Sequence, residues 1–83
     1  MSTADDLRDW VRGHLGRLLG KPPEAIKLDC TLSDYGLDSV DGVLMAGELE
    51  DHFGVEIDPG TFIQTPTFES MVVALAVLLE KKR

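Results

Sequence analysis

Eighty-three residues allow one small domain, which buries only about two-thirds of its unfolded surface and has little room for an enclosed active site. A hydrophobic fraction of 43% and a mean hydropathy near zero mark a folded chain rather than a disordered tail. The net charge of −7 excludes a phosphate-backbone binder, which needs clustered cations, and points to basic partners.

The charges are unevenly spread. Residues 1 to 27 hold five cations and four acids, whereas residues 28 to 80 hold eleven acids and no Lys or Arg. That long stretch cannot pair its acids within itself, so it tolerates self-repulsion or presents them to something positive. Met1 leads into Ser2-Thr3-Ala4-Asp5-Asp6 without the basic start and apolar run of a secretory signal. The longest apolar run, Met71 to Leu79, is about half the ~20 residues of a membrane span. Cys30 has no partner for a disulfide. These features predict a cytoplasmic protein with a reduced thiol and no membrane span.

The first helix is expected to follow Ser2 or Thr3 as N-cap. Leu7, Trp10, Val11, Leu15, Leu18 and Leu19 form its apolar stripe, Gly20 ends it, and Pro22-Pro23 prevents continuation. Residues 20 to 38 read as a long, packed, irregular connection whose Ile26, Leu28, Leu32 and Leu37 close one end of a bundle. The next helix spans Ser39 to Phe53, with Asp38 as N-cap and Gly54 just beyond its end. Val55 and Ile57 then alternate around Glu56, and a short helix is expected near Pro59 to Gln64. The last helix opens at Thr65-Pro66-Thr67, capped either by Thr65 with Pro66 at its first position or by Thr67. Phe68, Met71, Val72, Leu75, Leu78 and Leu79 supply its core stripe, and Lys81, Lys82 and Arg83 complement the dipole at its end.

Projected at 100° per residue, the Ser39 to Phe53 helix is apolar on two sides. Gly42, Met45, Ala46, Leu49 and Phe53 make an ordinary core stripe; Val40, Val43, Leu44 and Gly47 form a second cluster roughly opposite, bordered by Glu50 and Asp51. Two arrangements satisfy this pattern. Either both faces pack on neighbouring helices, or the second is an exposed protein-docking patch with an acidic border. Gly42 and Gly47 each cost about 1 kcal/mol relative to Ala in a helix interior, which invites close approach by another backbone as their reason.

The segment Asp34-Tyr35-Gly36-Leu37-Asp38-Ser39-Val40-Asp41 resembles the attachment site of acyl carrier proteins, a Gly-x-Asp-Ser-hydrophobic run at the start of the second helix. The likeness covers most of the chain. It takes in the amphipathic first helix, the long first loop, Leu49-Glu50-Asp51-His52-Phe53-Gly54-Val55-Glu56-Ile57, and Thr65-Pro66-Thr67. It implies an all-α fold, a small four-helix bundle with three main helices and a short third one, in a single carrier domain over residues 1 to 83. It implies 4′-phosphopantetheine attached to Ser39 beside Leu37 and Asp38, and that Asp38 lies next to the metal used in the transfer, although N-capping also accounts for Asp38. A serine in the first turn of a helix is exposed, and the unpaired N–H groups there favour a phosphodiester. The arm, on the order of 20 Å, spans five or six extended residues.

Two other chemistries fit poorly. A serine nucleophile needs an adjacent base held by a third group, yet the Gly-x-Ser-x-Gly elbow is absent and His14 and His52 are placed as ordinary surface or half-buried residues. An EF-hand loop begun at Asp34 would put Gly36 at its third position and Met45 at its twelfth, so that pattern fails too. No catalytic residue and no resident metal is expected.

Leu37, where peptidyl carriers show a second Gly, favours acyl cargo. Leu44, where type II fatty-acid carriers are acidic, and the segment from Asp58-Pro59 to Thr65-Pro66-Thr67 resemble polyketide-synthase carriers. Type II fatty-acid and peptidyl carriers remain the alternatives, with an unmodified acidic adaptor further off. The resemblance implies as partners a phosphopantetheinyl transferase, an acyl-loading enzyme (acyltransferase or acyl-adenylate ligase), a ketosynthase and other enzymes with basic docking surfaces. Glu48, Glu50, Asp51 and Glu56 are expected to steer them, and Val40, Val43, Leu44 and Gly47 to make the short-range contact. A discrete monomer is expected.

Overall fold

A computed structural model describes residues 3 to 57 and 67 to 81, and among these there is no strand. Three helices carry the fold: α1 (Thr3–Leu19), α2 (Ser39–Phe53) and α3 (Phe68–Lys81). The short helix expected near Pro59 to Gln64 lies outside the described residues, so the described architecture is three helices and a long first connection.

Alternation of apolar and polar residues at helical spacing gives each helix one buried stripe. Leu7, Val11 and Leu15 of α1 meet Met45, Ala46 and Leu49 of α2 and Phe68, Met71, Val72, Leu75 and Ala76 of α3 in one core. At about 25 cal/mol per Å2 of apolar surface, burial of such side chains contributes roughly 1.5 to 3 kcal/mol each, the main force holding three short helices together. Leu18 departs from the expected stripe and is 51% exposed. It shares the stripe's direction but is left uncovered in the last turn of α1, where the neighbouring Leu19 is the residue that packs against the core. Thr3 is already inside α1 rather than before it, and Ser2 lies outside the described residues.

The first connection is packed, as its apolar residues require. Ile26 and Leu28 are buried, Leu32 and Leu37 half-buried, and two single-turn 3-10 helices, Pro23–Ala25 and Ser33–Tyr35, break its length. Its start folds back tightly on α1. The Lys21 N–H donates to the Gly16 carbonyl at 2.8 Å, and a methyl at Gly16 would lie 2.7 Å from the Lys21 carbonyl oxygen. Its middle is tied to α3, where the Phe68 N–H donates to the Cys30 carbonyl and the Glu69 N–H to the Leu28 carbonyl, satisfying two amides that a helix start leaves free. Thr67 caps α3: the Ser70 N–H donates to Thr67 Oγ1 and the Thr67 N–H to Ser70 Oγ. That decides between the two starts open in the sequence.

Among the described residues, two polar side-chain links join the helices. Arg8 on α1 grips Glu69 on α3 with Nε and Nη2, at 2.9 and 2.7 Å, and reaches Asp5 with Nη1. His14 Nδ1 lies 2.8 Å from Glu48 Oε2 on α2. Trp10 stacks on His14 with ring centres 5.0 Å apart and has His52 of α2 at 6.1 Å. The pairings of 14 with 48 and 10 with 52 set α1 and α2 antiparallel.

Candidate functional site

The approach to Ser39 is built by short-range hydrogen bonding. Thr31 and Asp34 cap the Ser33–Tyr35 turn reciprocally, the Thr31 N–H donating to Asp34 Oδ2 and the Asp34 N–H to Thr31 Oγ1. Gly36 follows with φ of 72°, a left-handed conformation that a side chain disfavours, and this is the physical reason for a glycine three residues before Ser39. The turn is fixed from outside as well. Tyr35 Oη accepts from the Lys27 N–H at 2.7 Å and donates to the Lys27 carbonyl at 3.2 Å, while its ring lies 6.0 Å from that of Phe68. Leu37 packs against the core and its N–H donates to the Leu32 carbonyl, which anchors the backbone two residues before the serine.

At Asp38 the chain enters α2 through a capping box. The Asp41 N–H donates to Asp38 Oδ1 and the Asp38 N–H donates to Asp41 Oδ2, both at 3.1 Å. Ser39 is the first residue of α2, it is exposed, and its hydroxyl makes no hydrogen bond among the described residues. The Gly42 N–H donates to the Asp38 carbonyl, and among the described residues the amides of Ser39 and Val40 are the ones left without a partner at this helix start. An exposed hydroxyl beside two free amides on a fixed backbone is an accessible nucleophile with a favourable seat for a phosphate.

Neither histidine serves that hydroxyl: His14 is occupied by Trp10 and Glu48, and His52 stacks edge-on against Phe53, 4.8 Å between ring centres. The three aspartates around Ser39 are bonded to backbone amides, and no group of three His, Cys, Asp or Glu among the described residues can hold a metal ion. The clustering of Trp10 with two histidines is invisible in the sequence, because the spacing within each helix carries no sign of the antiparallel register that joins them.

The second face of α2 is uncovered. Val40, Val43 and Leu44 are 63%, 48% and 63% exposed, and a methyl at Gly47 would meet nothing within 4 Å. The face beginning at Ser39 is therefore an exposed apolar strip rather than a second packing surface. The acids expected beside it differ in state. Glu48 lies against His14, and Glu50 Oε2 accepts from the Ile57 N–H at 2.9 Å and so holds the chain after α2. Asp51 and Glu56 are exposed and make no bond among the described residues; with Glu50, Gly54 and Val55 they line an open hollow at the end of α2. No helix among the described residues is long and apolar enough to cross a membrane.

Comparison with known proteins gives the family of the chain. The family described as "Phosphopantetheine attachment site" matches residues 9 to 80. A phenolphthiocerol/phthiocerol polyketide synthase of Mycobacterium tuberculosis H37Rv is 34% identical over 71 residues, which are 86% of this chain and 4% of that protein. The non-reducing polyketide synthase pigA of Monascus ruber is 31% identical over 70 residues, 84% of this chain and 3% of its own length. Acyl carrier protein 3 of Ralstonia nicotianae is 29% identical over 75 residues, covering 89% of this chain and 86% of that protein. The chain thus spans a small part of the synthases and most of the carrier.

Proposed function

This chain belongs to the phosphopantetheine attachment site family, and we propose that residues 1 to 83 form a single acyl carrier domain whose Ser39 bears a 4′-phosphopantetheine arm. The observation that carries this reading is Ser39 itself, exposed at the first position of α2, its hydroxyl unbonded and the amides of Ser39 and Val40 free beside it. Those residues fit the group: the serine oxygen supplies the ester link, the amides and the helix dipole favour its phosphate, and the exposed position leaves a path for the arm.

Attachment is a group transfer catalysed by a phosphopantetheinyl transferase. A bond forms between Ser39 Oγ and the phosphorus next to the pantetheine of coenzyme A, and the pyrophosphate bridge breaks. Adenosine 3′,5′-bisphosphate leaves, and the hydroxyl proton passes to a base of the transferase. The bound arm supplies a thiol that carries an acyl group as a thioester. The chain's own part is to present the serine and to be recognised, not to catalyse.

The cargo is of polyketide type on this reading. Support comes from the two synthase relatives and from Leu37 and Leu44, which are apolar where other carriers differ. An acyltransferase or acyl-adenylate ligase then loads the thiol, and a ketosynthase and related enzymes receive the cargo. Val40, Val43, Leu44 and Gly47 form the contact strip, while Glu48, Asp51 and Glu56 with Glu50 provide charge for basic partners.

The test is incubation with coenzyme A and a broad-specificity transferase, followed by intact mass. The expected result is the gain of one arm in the wild type and none in Ser39→Ala. An unchanged wild-type mass contradicts the carrier reading and leaves an unmodified acidic adaptor.

A further inference from the structure

We infer that Asp41 is a positioning residue for the modification of Ser39, its carboxylate holding the Asp38 backbone and thereby fixing where the serine hydroxyl stands. This rests on Ser39 being the attachment site. The geometry is specific to one residue. On the upstream side the Leu37 N–H is tied to the Leu32 carbonyl, and on the downstream side the Gly42 N–H is tied to the Asp38 carbonyl. Between them the Asp38 N–H is held by Asp41 Oδ2, and in return the Asp41 N–H holds Asp38 Oδ1. Asp38 has φ −117° and ψ −174°, an extended conformation in which the chain turns sharply into α2. Asp41 is half-buried while Asp38 and Ser39 are exposed, so it lies inward of the groups it orients.

The contribution is to a transfer step whose atoms are already fixed: the Ser39 Oγ to phosphorus bond forms as the pyrophosphate bridge of coenzyme A breaks, adenosine 3′,5′-bisphosphate departs and the serine proton goes to a transferase base. In-line attack requires the oxygen within a narrow range of position, and displacement by about 1 Å costs up to about a hundredfold in rate. Asp41 acts through a backbone bond and not by touching coenzyme A. Its charge is therefore dispensable, whereas an acceptor oxygen at that place is not.

The experiment measures transferase kinetics on the wild type, Asp41→Asn and Asp41→Ala, with the carrier varied at saturating coenzyme A. The Asn amide keeps an acceptor oxygen and removes the charge; Ala removes both. Asp41→Asn is expected to load with the wild-type kcat, and Asp41→Ala with kcat lower by roughly tenfold or more and little change in KM. Hydrogen exchange at the Asp38 amide is expected to quicken in Ala and not in Asn. Wild-type kcat in Asp41→Ala overturns the inference. Equal losses in Asn and Ala, carried by KM and erased by salt, also overturn it and make Asp41 a charge contact for the transferase. Assays run where circular dichroism shows the Ala variant helical; if it is helical at no temperature, reduced kcat in Asp41→Asn with a protected Asp38 amide overturns the inference on its own. Failure of the wild type to load sinks the carrier assignment instead, so the two failures are distinct.

Discussion

Two glycines in neighbouring helices make opposite demands. A methyl at Gly16 would press on the backbone oxygen of Lys21 at 2.7 Å, whereas one at Gly47 would stand in open space. Gly16→Ala is therefore expected to destabilise by about 1 to 3 kcal/mol, through the shift forced on the turn at residues 20 to 23. Gly47→Ala is expected to stabilise by up to about 1 kcal/mol, since a helix interior favours Ala over Gly. Thermal unfolding of the two variants checks both signs. The helix pattern points to Gly42 and Gly47 as sites of close backbone approach and gives no sign of Gly16; the approach is found at Gly16 and not at Gly47, because it is set by where the returning chain runs and not by the helix's own pattern. Asp38 as N-cap and Ser39 as the first residue of α2, by contrast, are legible, since capping is local chemistry. Asp41 as the second half of the capping box is not, because such boxes usually carry Glu or Gln at that position.

At the scale of the element, α2 begins and ends where its caps put it, and its two apolar faces separate cleanly into one buried and one exposed. Periodicity reveals both faces but not their fates, which depend on how many neighbours surround the helix. The acids along it are not equivalent. Glu50 holds the Ile57 amide, so Glu50→Lys is expected to lower the melting temperature as well as slow loading, whereas Asp51→Lys leaves stability nearly unchanged. Asp51 lies about 18 Å along the helix from Ser39, close to the length of the proposed arm, so a cation anchored there does not obstruct the serine. Slower loading of Asp51→Lys at low salt, with the difference shrinking as salt rises, is the expected outcome of electrostatic steering. Equal rates at low salt would remove Asp51 from that role. For α3 the helix is legible but its start is not: Thr65 and Thr67 are both good caps, and the choice rests on the reciprocal bond to Ser70.

Across the whole molecule, the excess of acid is eased by the first helix. Arg8 bonds Glu69 and draws its carboxyl below the usual carboxylate range, opposed by partial burial, and Glu69 in turn raises the affinity of Arg8 for its proton. A lowered folded value means that the stabilisation is fully present above the unfolded carboxylate value near 4.5 and is lost as the pH falls through the lower folded one. Because the pair is part-exposed, its contribution is modest. Glu69→Gln is thus expected to melt lower than the wild type at neutral pH and to converge with it in acid. Parallel melting curves from pH 7 to pH 3 would contradict this assignment. The regional imbalance of charge is legible in the sequence; the partner of Glu69 is not, since 61 positions separate it from Arg8.

The chain offers one fixed serine and an exposed apolar strip along the same helix, with two unbonded acids, Asp51 in its last turn and Glu56 just beyond it, among the described residues. Peptide mapping of the transferase-treated protein tests that account most directly. The account predicts the entire arm on the peptide containing Ser39, with Ser2, Ser33 and Ser70 unmodified. An arm on any of those other serines, or on no peptide at all, would contradict it.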